Sequence, residues 1–119
     1  MIVRIWRGRE KKGHAGAYRR HLRDHVFPRL DALPGFMGAC LLERDVAGEA
    51  EVLVMTKWAS MEAVKSFAGP NPGRAVVEPE ARAVLSGFED VVTHHEVVAE
   101  IGPSLLSRAS DQPGRERPC

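Results

Sequence analysis

Cysteine is scarce in this sequence of 119 residues, which has two, Cys40 and Cys119. Cys40 lies in an apolar stretch and Cys119 is the last residue, so the pair is not typical of a disulfide framework. Long apolar runs are also absent, because none approaches the ~20 residues that a membrane-spanning helix needs. The first residues alternate like a strand and do not form a signal peptide. We therefore expect a cytoplasmic protein with reduced thiols and no membrane partner.

Acidic residues are scarce near the beginning of the chain, where residues 1–29 contain nine Lys or Arg residues against two acidic ones. The rest of the chain offsets this charge and leaves a formal net charge of +1. A basic segment could attract an anionic small molecule or a nucleic acid. However, it has no interleaved aromatic residues and no recognisable nucleic-acid-binding motif. A solvated helix face explains the charge better, and no nucleic-acid partner is expected.

The first third of the chain predicts one strand followed by one long helix. Residues 2–7 alternate with the period of a strand. From His14 onward, apolar residues recur at spacings of three and four and form one helical stripe: Ala15, Tyr18, Leu22, Val26, Leu30 and Leu33. Pro28 removes a backbone donor inside this run, so we expect the helix to kink or divide near Phe27. Pro34 and Gly35 end it.

The rest of the chain predicts a hairpin, two helices and a last strand. Residues 36–44 and 51–58 alternate as strands, are joined by a loop with Gly48, and are apolar on both faces. A short helix follows at residues 60–68 with Ser60 as its N-cap. A further helix begins at Pro79, and its predicted inner stripe is Ala81, Val84, Leu85 and Phe88. Residues 90–99 predict the last strand.

This order predicts a ferredoxin-like βαββαβ domain of the α+β class over residues 1–99. Its four-stranded antiparallel sheet would carry both helices on one face. Residues 100–119 shift in composition to Ser, Pro, Gly and Arg, and we expect a poorly ordered tail. Because the strands are apolar on both sides, the open sheet face needs a cover. A second copy of the chain is the simplest cover, so we predict a homodimer through that face.

Two motifs resemble those of a known family. Pro34-Gly35-Phe36 before the second strand, and the segment WASMEA that starts at Trp58, are similar to the antibiotic biosynthesis monooxygenases, which belong to the dimeric α/β barrels. The resemblance covers roughly residues 1–99. It implies the same dimeric barrel and a choice of activities, because the family includes cofactor-independent monooxygenases of polycyclic aromatic polyketides, quinone-type oxygenases and haem-degrading enzymes.

The resemblance also implies particular residues. Trp58 falls where the polyketide-oxidising members keep a functional tryptophan, and Arg82 lies near their arginine. Those members use an asparagine four residues before the tryptophan, and here that position is Val54. Haem-degrading members need an axial histidine in the helix after the breaker, which residues 74–88 lack, and an amide in the first strand. The first strand has Arg4 and Trp6 instead, so haem degradation is disfavoured.

A cofactor-free oxygenase needs an apolar cavity and a base or donor that generates and stabilises a substrate anion. Trp58 could form a wall of such a cavity and stack on the substrate, and Arg82 could stabilise the anion. Alternatively, Trp58 fills the core and Arg82 lies in water. Among the helix histidines, His25 lies nearest the apolar stripe, so we predict it as the proton acceptor.

Other histidines leave their roles open. His21 and His25 have a spacing that can bind a metal, but no nearby carboxylate or cysteine completes a site, so no metal is expected. His94 and His95 must point to opposite sides of their strand. One of them faces the predicted pocket, where it would contact substrate together with Tyr18, and the sequence does not decide which. A structural role for both is the alternative.

These observations lead to a hypothesis with two alternatives. The hypothesis is a monooxygenase without metal or flavin cofactor that oxidises a small aromatic or polyketide-like compound between sheet and helices. The first alternative is a non-catalytic dimeric module, for ligand binding or stress response, on the same fold. The second is an isomerase or lyase that uses a histidine as its base. No phosphate loop or nucleophile elbow points elsewhere.

Overall fold

The computed structural model of the protein describes residues 1–14 and 16–103. Within them lie the strands β1 (Ile2–Glu10), β2 (Phe36–Val46), β3 (Glu49–Trp58), β4 (Leu85–Phe88) and β5 (Thr93–Glu96), and the helices α1 (Ala17–His21), α2 (Phe27–Asp31), α3 (Met61–Ala68) and α4 (Pro79–Arg82). A π-helical segment, Leu22–Val26, joins α1 to α2. Most of the predicted tail, 100–119, lies outside the described residues. In the described part, no helix is long and apolar enough to cross a membrane.

The predicted ferredoxin-like α+β fold is confirmed. The antiparallel sheet has the strand order β2-β3-β1-β4, and β5 also pairs with β1. Strand β4 pairs with the stretch of β1 from Gly8 to Glu10, whereas β5 pairs with the stretch from Ile2 to Ile5. Two short strands therefore share the position predicted for one fourth strand, and the described part of the sheet has five strands.

The helix predicted from Pro79 is shorter than its apolar stripe suggested. Helix α4 ends at Arg82, and Leu85 and Phe88 lie in β4, where they pair with β1. Two effects explain the difference. The edge of β1 offers unpaired backbone groups that a strand can satisfy, and Gly87 weakens a helix at this point by about 1 kcal/mol relative to alanine.

The first helix is divided next to Pro28, as the sequence predicted. Helix α2 begins at Phe27, directly before Pro28, and the five residues that precede it are π-helical. Proline has no backbone N–H and its ring clashes with the carbonyl four residues earlier, so the α-helical hydrogen-bond pattern cannot run through this position. A π-helical turn holds more residues than an α-helical turn, so it rotates the side chains that follow it.

The two family-like motifs contact each other. The carbonyl of Gly35 accepts a hydrogen bond from the N–H of Ala59 at 2.8 Å. Gly35 has φ +80°, and a Cβ added there would lie 2.6 Å from the Cβ of Ala63. Both the positive φ and the close approach require glycine at this position. The contact fixes α3 against the entrance of β2.

The register of the sheet decides which residues face the helices. Arg4 pairs with Thr56, and Trp6 pairs with Val54, so these four side chains share one face. The side chains buried between this face and the helices form two groups. One is a closed core of Leu30, Phe36, Trp58 and Val64. The other, the cavity side, consists of Trp6, Tyr18, Leu22, Val52, Ala81, Leu85 and Val92.

Candidate functional site

A cavity of about 480 Å³ lies between the sheet and the helices. Its floor comes from the sheet, through Arg4, Trp6, Val54 and Thr56. Its other walls come from the divided helix and the residues that follow it, from α3, from the irregular segment before α4, from α4 itself and from the segment before β5. These wall residues are Tyr18, His21, Leu22, Val26, Arg29, Leu30, Leu33, Ser66, Phe67, Val76, Val77, Glu78, Ala81 and Val92. This volume and this mostly apolar and aromatic lining are typical of a small-molecule site with a few polar groups.

The helix wall contributes a histidine and a tyrosine. His21 Nε2 lies 3.8 Å from Glu78 Oε1, and the rings of His21 and Tyr18 have centroids 6.2 Å apart. Glu78 also accepts a hydrogen bond from Arg29, so the carboxylate is held between the two residues. Burial, together with the negative charge of Glu78, raises the pKa of Tyr18. Tyr18 is therefore a neutral hydroxyl at physiological pH, and the imidazole of His21 lies beside its ring.

His25, predicted as the proton acceptor, lies outside the cavity. Its side chain is exposed and its ring centroid is 5.8 Å from that of His21. A regular α-helix would place His25 almost in line with Tyr18, seven residues earlier. The π-helical segment Leu22–Val26 changes the helical period between them and rotates His25 towards solvent, whereas His21 precedes that segment and stays on the cavity wall.

The sheet floor contributes one charged side chain, that of Arg4, which is 5% exposed. Its Nη1 donates to the carbonyl of Pro72 and lies 3.1 Å from His94 Nε2, and its Nη2 donates to the carbonyl of Arg74. The guanidinium also lies 5.7 Å from the centroid of the Phe67 ring. Burial lowers the pKa of Arg4 to about 10, so the side chain keeps its charge at neutral pH.

The register resolves the question that the sequence left open for His94 and His95. His94 pairs with Arg4 and therefore lies on the helix side, whereas His95 pairs with Val3 on the opposite face. His95 is exposed and its Nε2 is 2.9 Å from the hydroxyl of Thr93. Burial, followed by the charge of Arg4, lowers the pKa of His94. A neutral imidazole can accept the hydrogen bond from Arg4.

Trp58 lies directly behind the cavity wall and does not line the cavity. It is fully buried, and its indole N–H donates to the hydroxyl of Thr56 at 2.8 Å. Phe36 packs edge-on against it at 5.3 Å, and Phe67 stacks on it at 5.6 Å. Thr56 and Phe67 do line the cavity. Trp58 thus holds two wall residues in place from behind.

Arg82 lies on the surface and also away from the cavity. Its Nε donates to the carbonyl of Val77, and its guanidinium lies 5.5 Å from the centroid of the Phe88 ring. Among the predicted site residues, the structure places Tyr18 on the cavity wall and His94 against Arg4. The sequence reasoning did not select Arg4 or His21 as site residues. For Arg4 the signal was available, because a charged residue at the centre of an apolar strand is uncommon unless it is paired.

The site combines the parts that base-assisted chemistry on an aromatic compound needs. Aromatic rings of Trp6, Tyr18 and Phe67 can contact a planar ligand. His21 can accept a proton, and Arg4 can stabilise negative charge. Within the described ranges, no group of three or more His, Cys, Asp or Glu side chains is arranged to hold a metal ion.

Comparison with known proteins agrees with this fold. The family model of the antibiotic biosynthesis monooxygenases matches residues 1–78, which is more than half of the chain. The chain therefore belongs to the antibiotic biosynthesis monooxygenase family. No curated protein matches the sequence.

Several solved structures share the fold. The haem-degrader MhuD from Mycobacterium tuberculosis, with two haems bound in its active site, is 29% identical, with a TM-score of 0.58, over 86% of this chain and 100% of that one. A mutant of MhuD with two manganese protoporphyrin IX molecules per active site is 26% identical, with a TM-score of 0.62, over 87% of this chain and 100% of that one. A Bacillus cereus protein, described as a candidate antibiotic biosynthesis monooxygenase, is 19% identical, with a TM-score of 0.60, over 86% of this chain and 97% of that one. At this last identity the likeness shows the fold alone.

Proposed function

We propose that the protein is a monooxygenase that oxidises a small aromatic or polyketide-like compound in the cavity between sheet and helices, without metal or flavin. One observation supports this most directly. The imidazole of His21 and the guanidinium of Arg4, which has no carboxylate partner among the described residues, line the same cavity, one from the helix wall and the other from the sheet floor. Such an arrangement suits a reaction in which the substrate becomes an anion between them.

The chemistry requires molecular oxygen as the second substrate. His21 removes a proton from an activated CH₂ group of the aromatic compound, and Arg4 stabilises the resulting anion. The anion gives one electron to oxygen, and the radical pair combines to a hydroperoxide that takes up the proton. Loss of water then leaves a carbonyl group. One oxygen atom enters the product and the other leaves as water, so R₂CH₂ and O₂ give R₂C=O and H₂O.

The proposal includes a homodimer formed through the sheet face opposite the helices. Val3, Ile5, Leu53 and Met55 lie half-buried on that face, and Leu42 is 38% exposed. An apolar sheet face of this kind is typically covered in a functional protein. Sedimentation equilibrium of the full chain tests this part, and a monomer at micromolar concentration would contradict it.

Oxygen uptake with anthrone substrates, which carry the activated CH₂ group, tests the reaction itself. His21→Gln is expected to lower kcat by about 100-fold or more, because general-base catalysis contributes at least that factor. His25→Gln is the matched control, since this histidine lies one turn further along and outside the cavity. It should retain kcat within about twofold of wild type.

The outcomes separate the alternatives. Equal loss in both variants would contradict the assignment of His21. Ligand binding without any oxygen uptake would instead support the non-catalytic binding module. Product formation without oxygen uptake would support an isomerase or lyase.

Haem degradation is a second candidate, favoured by the 29% identity to MhuD over the whole of that chain. Residues 74–88 contain no histidine. Among the cavity-lining residues, His21 and Tyr18 have side chains of the types that bind haem iron, and Glu78 could orient the imidazole. Titration with haemin tests this candidate. A shifted Soret band in wild type that is lost in His21→Ala would support it, and an unchanged spectrum would exclude it.

A further inference from the structure

Arg4 is a buried cation whose hydrogen-bonding capacity is not used up. A guanidinium has five N–H donors, and three of them go to Pro72, Arg74 and His94. One Nη2 hydrogen and the Nε hydrogen have no partner among the described residues. Nε and Nη2 form one edge of the guanidinium, and such an edge can bind a carboxylate through two parallel hydrogen bonds.

The charge of Arg4 also has no carboxylate against it in the described part of the chain. Its three partners are two neutral carbonyls and a histidine whose pKa is lowered. The other arginine on the cavity wall, Arg29, is paired with Glu78. Removing an ion from water costs several kcal/mol unless a counter-ion compensates. The cavity therefore has one positive charge in excess at its floor.

The position of Arg4 suits substrate recognition. It is the cross-strand neighbour of Thr56, two residues along β3 from Val54. Val54 has no side-chain hydrogen-bond donor, so the charged donors of the floor come from Arg4. Phe67, which lies against the guanidinium, also lines the cavity. A planar ligand in the cavity can therefore lie beside Phe67 and bring a negatively charged substituent to Arg4.

We propose that Arg4 is a specificity-determining residue, and that the cavity selects planar aromatic ligands that carry a carboxylate. This inference rests on the proposed function for the location of the substrate site, and it gives one guanidinium two tasks: Arg4 binds the carboxylate through hydrogen bonds and acts on the anion formed in the reaction through its charge. The carboxylate supplies the counter-ion that no described residue provides for Arg4, and it accepts the N–H donors that have no partner among those residues. The ring of the ligand lies among Trp6, Tyr18 and Phe67.

Calorimetric titration of the full chain with two matched ligands tests the inference. Anthraquinone-2-carboxylate and anthraquinone-2-carboxamide have nearly the same shape and differ in charge. Wild type is expected to bind the acid at least about 10-fold more tightly than the amide, because a charge-assisted hydrogen bond contributes at least that factor. Arg4→Met should reduce the ratio to about one, and Arg4→Lys, which keeps the charge without the fork, should give an intermediate ratio.

Arg7→Met is the matched control, because it removes an arginine from the same strand on the opposite face. It should keep the wild-type ratio within about twofold. Equal affinity of wild type for acid and amide would overturn the inference, as would an unchanged ratio in Arg4→Met. If Arg4→Met does not fold, the wild-type ratio and Arg4→Lys decide. Both ligands are already oxidised, so the result does not depend on oxygen uptake, and the failure of either proposal can be recognised separately.

Discussion

The two tryptophans of the chain lie on the same face of the sheet but in different surroundings. Trp58 is enclosed on every side, with its N–H bonded to Thr56 and its ring between Phe36 and Phe67. Trp6 borders the cavity, and its N–H donates to the carbonyl of Glu89 at 2.8 Å. The closed core around Trp58 therefore stabilises the fold, whereas the cavity side around Trp6 leaves space for a ligand.

This difference shows that the tryptophan selected by the family resemblance is not the one that lines the cavity. The resemblance selected Trp58, but Trp58 reaches the cavity through Thr56 and Phe67. Trp6 contacts the cavity directly, and it lies on a strand where the resemblance indicated an amide. A motif that resembles a family can thus report on packing beside a site, while the side chains that line the site lie elsewhere on the same strand and on other elements.

Replacing each tryptophan by alanine should give the largest difference in stability between the closed core and the cavity side. Trp58→Ala is expected to lower the free energy of unfolding by about 5 kcal/mol, because it opens a void in a closed core. Trp6→Ala should cost about 3 kcal/mol, since one side of its ring already faces a cavity. Urea unfolding at a fixed protein concentration measures both values. A larger loss for Trp6→Ala than for Trp58→Ala would show that the two regions are assigned the wrong way round.

Gly35→Ala tests the contact that closes the core around α3. It is expected to lower the free energy of unfolding by about 3 kcal/mol, through an unfavourable φ and the clash with Ala63. Gly13→Ala is the control, because Gly13 has φ +81° and no atom within 4 Å of an added Cβ. Gly13→Ala should lower the free energy of unfolding by about 1 kcal/mol. The double variant with Ala63→Gly should recover part of the loss, and full additivity would argue against the contact.

Tyr18→Phe tests the burial of the hydroxyl on the cavity side. The pKa of Tyr18 is raised above its ordinary value of 10.0, so the folded state holds this proton more tightly than the unfolded state does. The stabilisation is fully present below pH 10 and is lost as the pH rises further. Wild type should lose up to about 1.4 kcal/mol per pH unit relative to Tyr18→Phe above pH 10.

The measurement for Tyr18 is urea unfolding of both proteins between pH 8 and pH 11. The difference between them is the informative quantity, because the lowered pKa of Arg4 changes stability in the opposite direction over the same range. Parallel stability curves for the two proteins would mean that Tyr18 is exposed to water, and the cavity side would then be more open than the structure indicates.

The fold could be predicted from local signals that tertiary packing did not override. Alternation identified β1, β2 and β3, and Pro28 divided the first helix. Ser60 caps α3, because its hydroxyl oxygen accepts a hydrogen bond from the N–H of Ala63. Residues 85–88 could not be assigned in this way. Their apolar spacing fits a helix and a strand equally well, and the free edge of β1 decides between them.

The site was harder to predict, because its residues come together through features that a helical period does not describe. The π-helical segment moves His25 away from the stripe and leaves His21 on it. The pairing of β5 with β1 brings His94 to Arg4 across 90 residues of sequence. The strand pairing depends on hydrogen bonds between distant parts of the chain, so no local window contains its signal. The π-helical segment is local, but apolar spacings of three and four predict a regular α-helical period at the same residues.

The interruption between β4 and β5 has a consequence for the size of the cavity. After Glu89, the chain leaves β1 and pairs with another segment: Ala75 N–H donates to Asp90, and Val92 N–H donates to Gly73. An unbroken fourth strand would use these groups on β1 and would leave residues 73–77 without a place on the sheet. The break therefore gives the segment before α4 a partner at the sheet edge, where Val76, Val77 and Val92 line the cavity. One wall of the cavity thus depends on backbone pairing at this edge of the sheet.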